Sequence, residues 1–256
     1  MQTDNRARVL DYPVDIVDLS AALQKIEGYW ASRQSAHVVT MNAEMVVQAQ
    51  KDRHLSDIIN GATLVVPDGA GVVFAIKLSG QAGPDGCVRV PGVELSLSAL
   101  QAAAKKGLKV ALIGGKPEVM QKLAAKLQTE PQFDGIKLVA AQDGYFDKAQ
   151  EAAIIQNIAD MQPDLVLVAL GVPKQEFFID KYRHLFTHSV MIGVGGSFDV
   201  WTGTVERAPE SYQKMHLEWL YRLKKEPWRF SRMASTLPNF ALQVLFKMVL
   251  LRKGLR

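Results

Sequence analysis

Six short apolar runs, separated by stretches of helical periodicity, constrain this chain more than any other feature: His37-Val38-Val39, Leu64-Val65-Val66, Lys109 to Ile113, Ile136 to Ala140, Leu165 to Leu170 and Val190 to Val194. Most are apolar at consecutive rather than alternating positions, the signature of strands buried on both faces. Between them lie helical segments. Asp18 stands as a cap before one reaching about Arg33, and Met45, Val46, Ala49, Leu55, Ile58 and Ile59 mark another that stops at Asn60-Gly61. Ala70 to Leu78, Gly92 to Lys106, a segment opened by Pro117, and Lys148 to Met161 supply the rest. Strands alternating with helices make βαβ units, so the expected fold is α/β: a Rossmann-like parallel sheet with helices on both faces. A weaker strand is expected around Arg8-Val9-Leu10, ahead of Pro13, and a long Gly/Pro-rich loop from Ser79 to Pro91.

In an open parallel sheet, ligands bind beyond the carboxyl ends of the strands. Four of these ends carry polar groups: Thr40 with Asn42, Asp68, Lys174-Gln175-Glu176, and Gly195-Gly196-Ser197-Phe198-Asp199. Arg89 from the long loop and Arg207 add positive charge. Such a crevice suits a polyanionic substrate beside one carboxylate base. Arginines and helix N-termini stabilise a departing phosphate without a metal, and Asp68 is placed to take a proton from an attacking hydroxyl. Taken alone, Pro67-Asp68-Gly69 reads as a turn whose Asp caps the next helix. Gly114-Gly115 offers either phosphate-binding amides or close packing of a helix on a strand. No Asp-x-Asp stands at a strand end and no second acid pairs with Asp68, which argues against metal-dependent transfer and against a two-carboxylate glycosidase.

The chain has 256 residues, 48% of them hydrophobic and 22% charged, ordinary values for a folded soluble protein. One cysteine, Cys87, and five histidines without zinc-site or Cys-x-x-Cys spacing exclude an intramolecular disulfide and offer no metal or redox centre. The polar N-terminus lacks the apolar core of a secretory signal, and no run approaches the ~20 apolar residues of a spanning helix. The expected location is cytoplasmic. The net charge of +4 is unevenly placed, because residues from Val205 onward hold eleven Lys/Arg against four Asp/Glu. This divides the chain into an α/β core, residues 1–204, and a basic, mostly helical appendage, residues 205–256. Within the appendage, Phe240 to Leu251 reads as an apolar helix beginning after Pro238 and closed by Arg252-Lys253. It suits the surface of an anionic bilayer. The competing reading is a core or oligomer-interface helix, and its apolar surface also suggests self-association off the membrane.

Several motifs then support a resemblance. Thr40-Met41-Asn42, Pro67-Asp68-Gly69, Arg89-Val90-Pro91-Gly92, Gly171-Val172-Pro173-Lys174-Gln175-Glu176, Gly193-Val194-Gly195-Gly196-Ser197-Phe198-Asp199 and Arg207-Ala208-Pro209 together resemble the WecG/TagA/CpsF family of glycosyltransferases. Glu218-Trp219-Leu220-Tyr221-Arg222 and Glu226-Pro227-Trp228-Arg229-Phe230-Ser231-Arg232 extend the match. The resemblance implies an inverting, metal-independent and cofactor-free transfer of a sugar from a UDP-sugar to a polyprenyl-diphosphate-linked saccharide on the inner face of the cell membrane, with N-acetylmannosamine the first expectation and its uronic acid and glucose also compatible. It implies Asp68 as the base, with Thr40, Asn42 and Gln175 beside it. Arg89 would bind substrate, and Arg222, Arg229 and Arg232 would close over the diphosphate. Cys87-Val88-Arg89 lacks the acid that family members often carry before this loop arginine.

Two other classes compete. A dinucleotide-dependent oxidoreductase fits the α/β pattern but lacks Gly-x-Gly-x-x-Gly followed by an acid about 20 residues on. A non-catalytic lipid-surface module explains the basic tail but not the polar strand ends, and no aromatic-basic nucleic-acid motif is evident.

Overall fold

The computed structural model describes residues 6–83, 86–209, 211–212, 218, 220–221 and 230–253, with side chains in the last segment at 234 and 236–247. Its centre is a six-stranded sheet: β3 (Ala36–Met41), β4 (Leu64–Pro67), β5 (Lys109–Gly114), β6 (Lys137–Gln142), β7 (Leu165–Ala169) and β8 (Val190–Gly193). The spatial order is β4-β3-β8-β7-β5-β6 and every adjacent pair is parallel. The Rossmann-like expectation holds.

Helices connect the strands: α1 (Leu19–Ala31), α2 (Ala43–Ala49), α3 (Arg53–Asn60), α4 (Ala70–Leu78), α5 (Gly92–Lys105), α6 (Pro117–Thr129), α7 (Glu151–Asp160), α8 (Lys174–Tyr182) and α9 (Ser197–Trp201). Although the strands are buried on both faces, their side chains still alternate with period two. Val38, Leu64, Val66, Leu112 and Leu167 pack with α1, α5, α6 and α9. On the opposite face, Val39, Met41 and Val65 pack with α2, α3 and α4, while Ala111, Ile113, Val166 and Val168 pack with α7 and α8.

Three local features differ from the sequence reading. The weak N-terminal strand is half of an antiparallel hairpin, β1 (Arg6–Val9) and β2 (Tyr12–Asp15), and the second strand runs through Pro13. A two-stranded ribbon is all edge, so a residue lacking a backbone donor is tolerated there. The hairpin also protects the sheet: Asp15 takes two hydrogen bonds from Arg6, at 3.0 and 3.1 Å, and accepts one from the Val65 amide of edge strand β4 at 2.8 Å. Next, the helix expected from Met45 to Ile59 is two helices, because Asp52 accepts from the Leu55 amide and starts a new one.

The third difference is at the C-terminus. A single helix, α10 (Phe230–Lys253), passes through Pro238 instead of starting after it. An interior proline costs ~3 kcal/mol, and burial opposes that cost: Phe240 and Val244 sit in the same apolar cluster as α2 and α4, and Phe240 lies against Gly71. The helix therefore packs on the core with one side, while Leu242, Leu245 and Phe246 are exposed on another. No helix among the described residues is long and apolar enough to cross a membrane.

Candidate active site

The carboxyl ends of β3, β4 and β8 meet through hydrogen bonds and close contacts. The Asp68 amide donates to the Met41 carbonyl at 3.0 Å, and the Val90 amide donates to the Pro67 carbonyl at 2.8 Å. The second bond ties the long loop to the end of β4 and brings Arg89 beside Asp68. Small residues permit the approach. A Cβ on Gly69 would lie 3.1 Å from Asn42 Cβ, and one on Gly92 would lie 3.0 Å from Thr40 Cγ2. Thr40 Oγ1 reaches the Gly193 carbonyl at 3.5 Å, which joins β3 to β8. Thr40, Asn42, Asp68, Arg89 and the Gly193–Gly196 turn thus occupy one edge, as expected from their strand-end positions.

Asp68 is not a helix cap. Gly69 is the N-cap residue of α4 and that end has no side-chain cap bond, so the turn-and-cap reading of Pro67-Asp68-Gly69 fails on position. Asn42, by contrast, does cap: its Oδ1 accepts from the Met45 amide at 3.0 Å. Its amide nitrogen donates to nothing in the cap and is the end turned to other partners.

The Asp68 side chain, about a quarter exposed, faces Arg89 with Oδ1 3.3 Å from Nη2, and Arg89 Nε also donates to the Asp68 carbonyl. The other arm of Arg89 donates to Glu218, which is buried. Arg207 lies on the same carboxylate, its Nε 3.9 Å from Glu218 Oε1, and donates through Nη2 to Glu94. Carboxylates and guanidinia therefore alternate from Asp68 through Arg89, Glu218 and Arg207 to Glu94. Burial works against the charge of Arg89, but the Asp68 and Glu218 carboxylates outweigh it and hold its pKa above the ordinary arginine value. Glu218 and Glu94 were not singled out from the sequence. Only their contacts reveal them, since an acid in a helical segment carries no signal of its partner.

The remaining residues divide. Gln175 and Glu176 open α8 and are each 1% exposed; Gln175 accepts from the Gly195 amide and donates to Glu176, both at 2.9 Å. Desolvation pushes the Glu176 pKa up to about 7. Lys174 is exposed, Asp199 is half-buried in α9, and Gly196 is the N-cap of that helix. Gly114 and Gly115 have positive φ, +108° and +72°, and a Cβ on Gly114 would collide with the Ala169 carbonyl. The Gly115 amide already donates to that carbonyl at 2.9 Å. Packing of β5 on β7 accounts for this glycine pair. Arg222 and Arg229 lie outside the described residues, and for Arg232 only the backbone, within α10, is described.

Comparison with known proteins bears on this arrangement. The model of the glycosyl transferase WecG/TagA/CpsF family matches residues 7–254. A Bacillus subtilis (strain 168) protein named N-acetylglucosaminyldiphosphoundecaprenol N-acetyl-beta-D-mannosaminyltransferase is 36% identical over 246 residues, 96% of this chain and 92% of that protein. Its namesake from Bacillus spizizenii (strain ATCC 23059 / NRRL B-14472 / W23) is 38% identical over 235 residues, 91% of this chain and 88% of its own length.

Proposed function

Since the chain belongs to the WecG/TagA/CpsF family of glycosyltransferases, we propose that it transfers an N-acetylmannosamine-type sugar from a UDP-sugar to a polyprenyl-diphosphate-linked saccharide, with inversion and without a metal. The acceptor class follows the relatives' names, and the transferred sugar follows their mannosaminyl product. The polymer would belong to the cell envelope.

One observation carries the mechanism: Asp68 stands at a strand end, off the cap position, with its carboxylate beside a guanidinium. In an inverting displacement the acceptor hydroxyl loses its proton to Asp68 and its oxygen bonds to the anomeric carbon. The bond from that carbon to the diphosphate oxygen breaks, and the electron pair leaves with UDP. Arg89 and Arg207 supply positive charge for the departing diphosphate. Movement of Arg89 from Asp68 toward the donor diphosphate would take one positive partner from the carboxylate and raise its basicity, coupling donor binding to the base. Thr40 and the amide nitrogen of Asn42 border the same space and would hold sugar hydroxyls. The C-terminal arginines 222, 229 and 232 would close over the diphosphate.

The test is a screen of UDP-sugars against a synthetic polyprenyl-diphosphate N-acetylglucosamine, reading UDP release with and without chelator and the anomeric configuration of the product. Release of UDP with an inverted anomer, insensitive to chelator, is expected. Retention, loss of turnover with chelator, or silence with every UDP-sugar would refute the corresponding part.

The exposed Leu242, Leu245 and Phe246 on α10 support peripheral binding to the anionic inner face of the membrane. Replacing Leu242 and Phe246 by Glu should lower flotation with anionic vesicles at least tenfold without lowering the melting temperature. Unchanged flotation would assign this face to self-association instead.

A further inference from the structure

Gln175 and Glu176 stand at the head of α8, yet at 1% exposure each they offer a substrate almost no surface. Both polar ends of the Gln175 amide are engaged: Oε1 accepts from the Gly195 amide, and Nε2 donates to Glu176 Oε1. The Gly195 N–H needs an acceptor and Glu176 Oε1 accepts from the NH2 end, so both neighbours hold the amide in the same placement. Gly193 is shaped to this pair, since a Cβ there would lie 2.5 Å from Gln175 Nε2 and 3.0 Å from Glu176 Oε1. The same Gly193 presents its carbonyl to Thr40. Gln175 thus links the head of α8 to the Gly193–Gly196 turn, and that turn to Thr40.

We propose that Glu176 is a positioning residue that acts through Gln175: it orients the amide whose carbonyl holds the Gly195 N–H, and so sets the β8–α9 turn against Thr40. Neither side chain contacts substrate. This rests on the crevice at the ends of β3, β4 and β8 being the site of transfer. Displacement of a bordering turn by about 1 Å is enough to cost ~100-fold in rate when the reacting groups depend on it.

The experiment uses the full chain and separates kcat from the KM for the donor. Glu176→Met fills similar space without an acceptor and should lower kcat 10- to 100-fold while changing donor KM less than about threefold. Glu176→Gln presents an amide oxygen to the same NH2 group and should keep kcat within about threefold of the parent. In a Gln175→Ala background, Glu176→Met should cost nothing further, because the residue it acts through is gone. The proposal is overturned if Glu176→Met retains full kcat, if Glu176→Gln falls as far as Glu176→Met, or if the Gln175→Ala background leaves the loss undiminished.

Hydrogen exchange keeps the idea testable if Glu176→Met does not fold. The Gly195 amide should be protected in the parent and lose most of its protection in Gln175→Ala, and retained protection would overturn the linkage. The crevice assignment fails separately, through an active Asp68→Ala variant, which leaves the ratio between the two Glu176 variants and the exchange result readable.

Discussion

Two glycine-rich strand ends, alike in sequence, do opposite work. After β5, Gly114 and Gly115 let backbone meet backbone, with the Ala169 carbonyl where a side chain would stand. After β8, Gly193 clears space for side chains, and Gln175 and Glu176 fill it. The β5 end is closed by main chain and contributes stability. The β8 end, with β3 and β4 beside it, is furnished with side chains and is where the proposed chemistry would sit. A glycine pair at a strand end therefore marks close approach without specifying what approaches.

The contrast is broken most sharply by variants that should affect one property and spare the other. Asp68→Ala should lower turnover by roughly 100- to 10,000-fold, the range for losing a positioned acid or base, with donor binding and melting temperature nearly unchanged. Near-parental turnover in a steady-state UDP-release assay would remove Asp68 from the role of base. Gly114→Ala should do the reverse, costing about 3 kcal/mol or more in chemical denaturation through strain at φ +108° and the collision with Ala169. If it folds with parental stability, the β5 end is not closed by backbone packing.

A third prediction concerns pH. The buried Glu176 keeps its proton up to about pH 7, whereas an unfolded glutamic acid releases it near 4.5. The folded state binds more protons across that window, so this group lowers stability as pH rises from 4.5 to 7, by about 3 kcal/mol in all, and the cost stays constant above. Glu176→Gln should remove the slope. Its difference from the parent is the quantity to measure, because buried His37, with its pKa pushed down to about 4, adds a slope of opposite sign between 6.5 and 4. Equal denaturation midpoints for parent and variant at pH 5 and pH 8 would place the Glu176 carboxyl in contact with water. The smallest effect is expected at an exposed ion pair, Lys247 with Asp11 at 2.6 Å, where Lys247→Ala should cost at most about 1 kcal/mol.

The sheet was legible because consecutive apolar residues at strand length admit few alternatives, as at Leu165 to Ala169. The gathering of Thr40, Asn42 and Asp68 was legible because parallel topology sends all carboxyl ends to one edge, without knowledge of any contact. Less legible were features decided by a distant partner. Pro13 and Pro238 look like breaks, yet a hairpin edge tolerates the first and burial of Phe240 offsets the second. Glu218 was quoted only as part of a motif, because its meaning comes from Arg89, 129 positions away. Local pattern also could not show that Asp68 stands just ahead of the cap while Asn42 occupies one.

Gly71 has a wider consequence. It sits three residues beyond Asp68, and its bare face receives the ring of Phe240 from α10. Packed helices run ~8–10 Å apart, and glycine at a contact favours the near end of that range. If α10 rests on lipid as proposed, the crevice stands off the bilayer by about the thickness of one helix. On that reading the spacing would act as a ruler. An acceptor whose reactive hydroxyl lies one sugar beyond a membrane-bound diphosphate would come to the height of Asp68, and a longer saccharide would overshoot it.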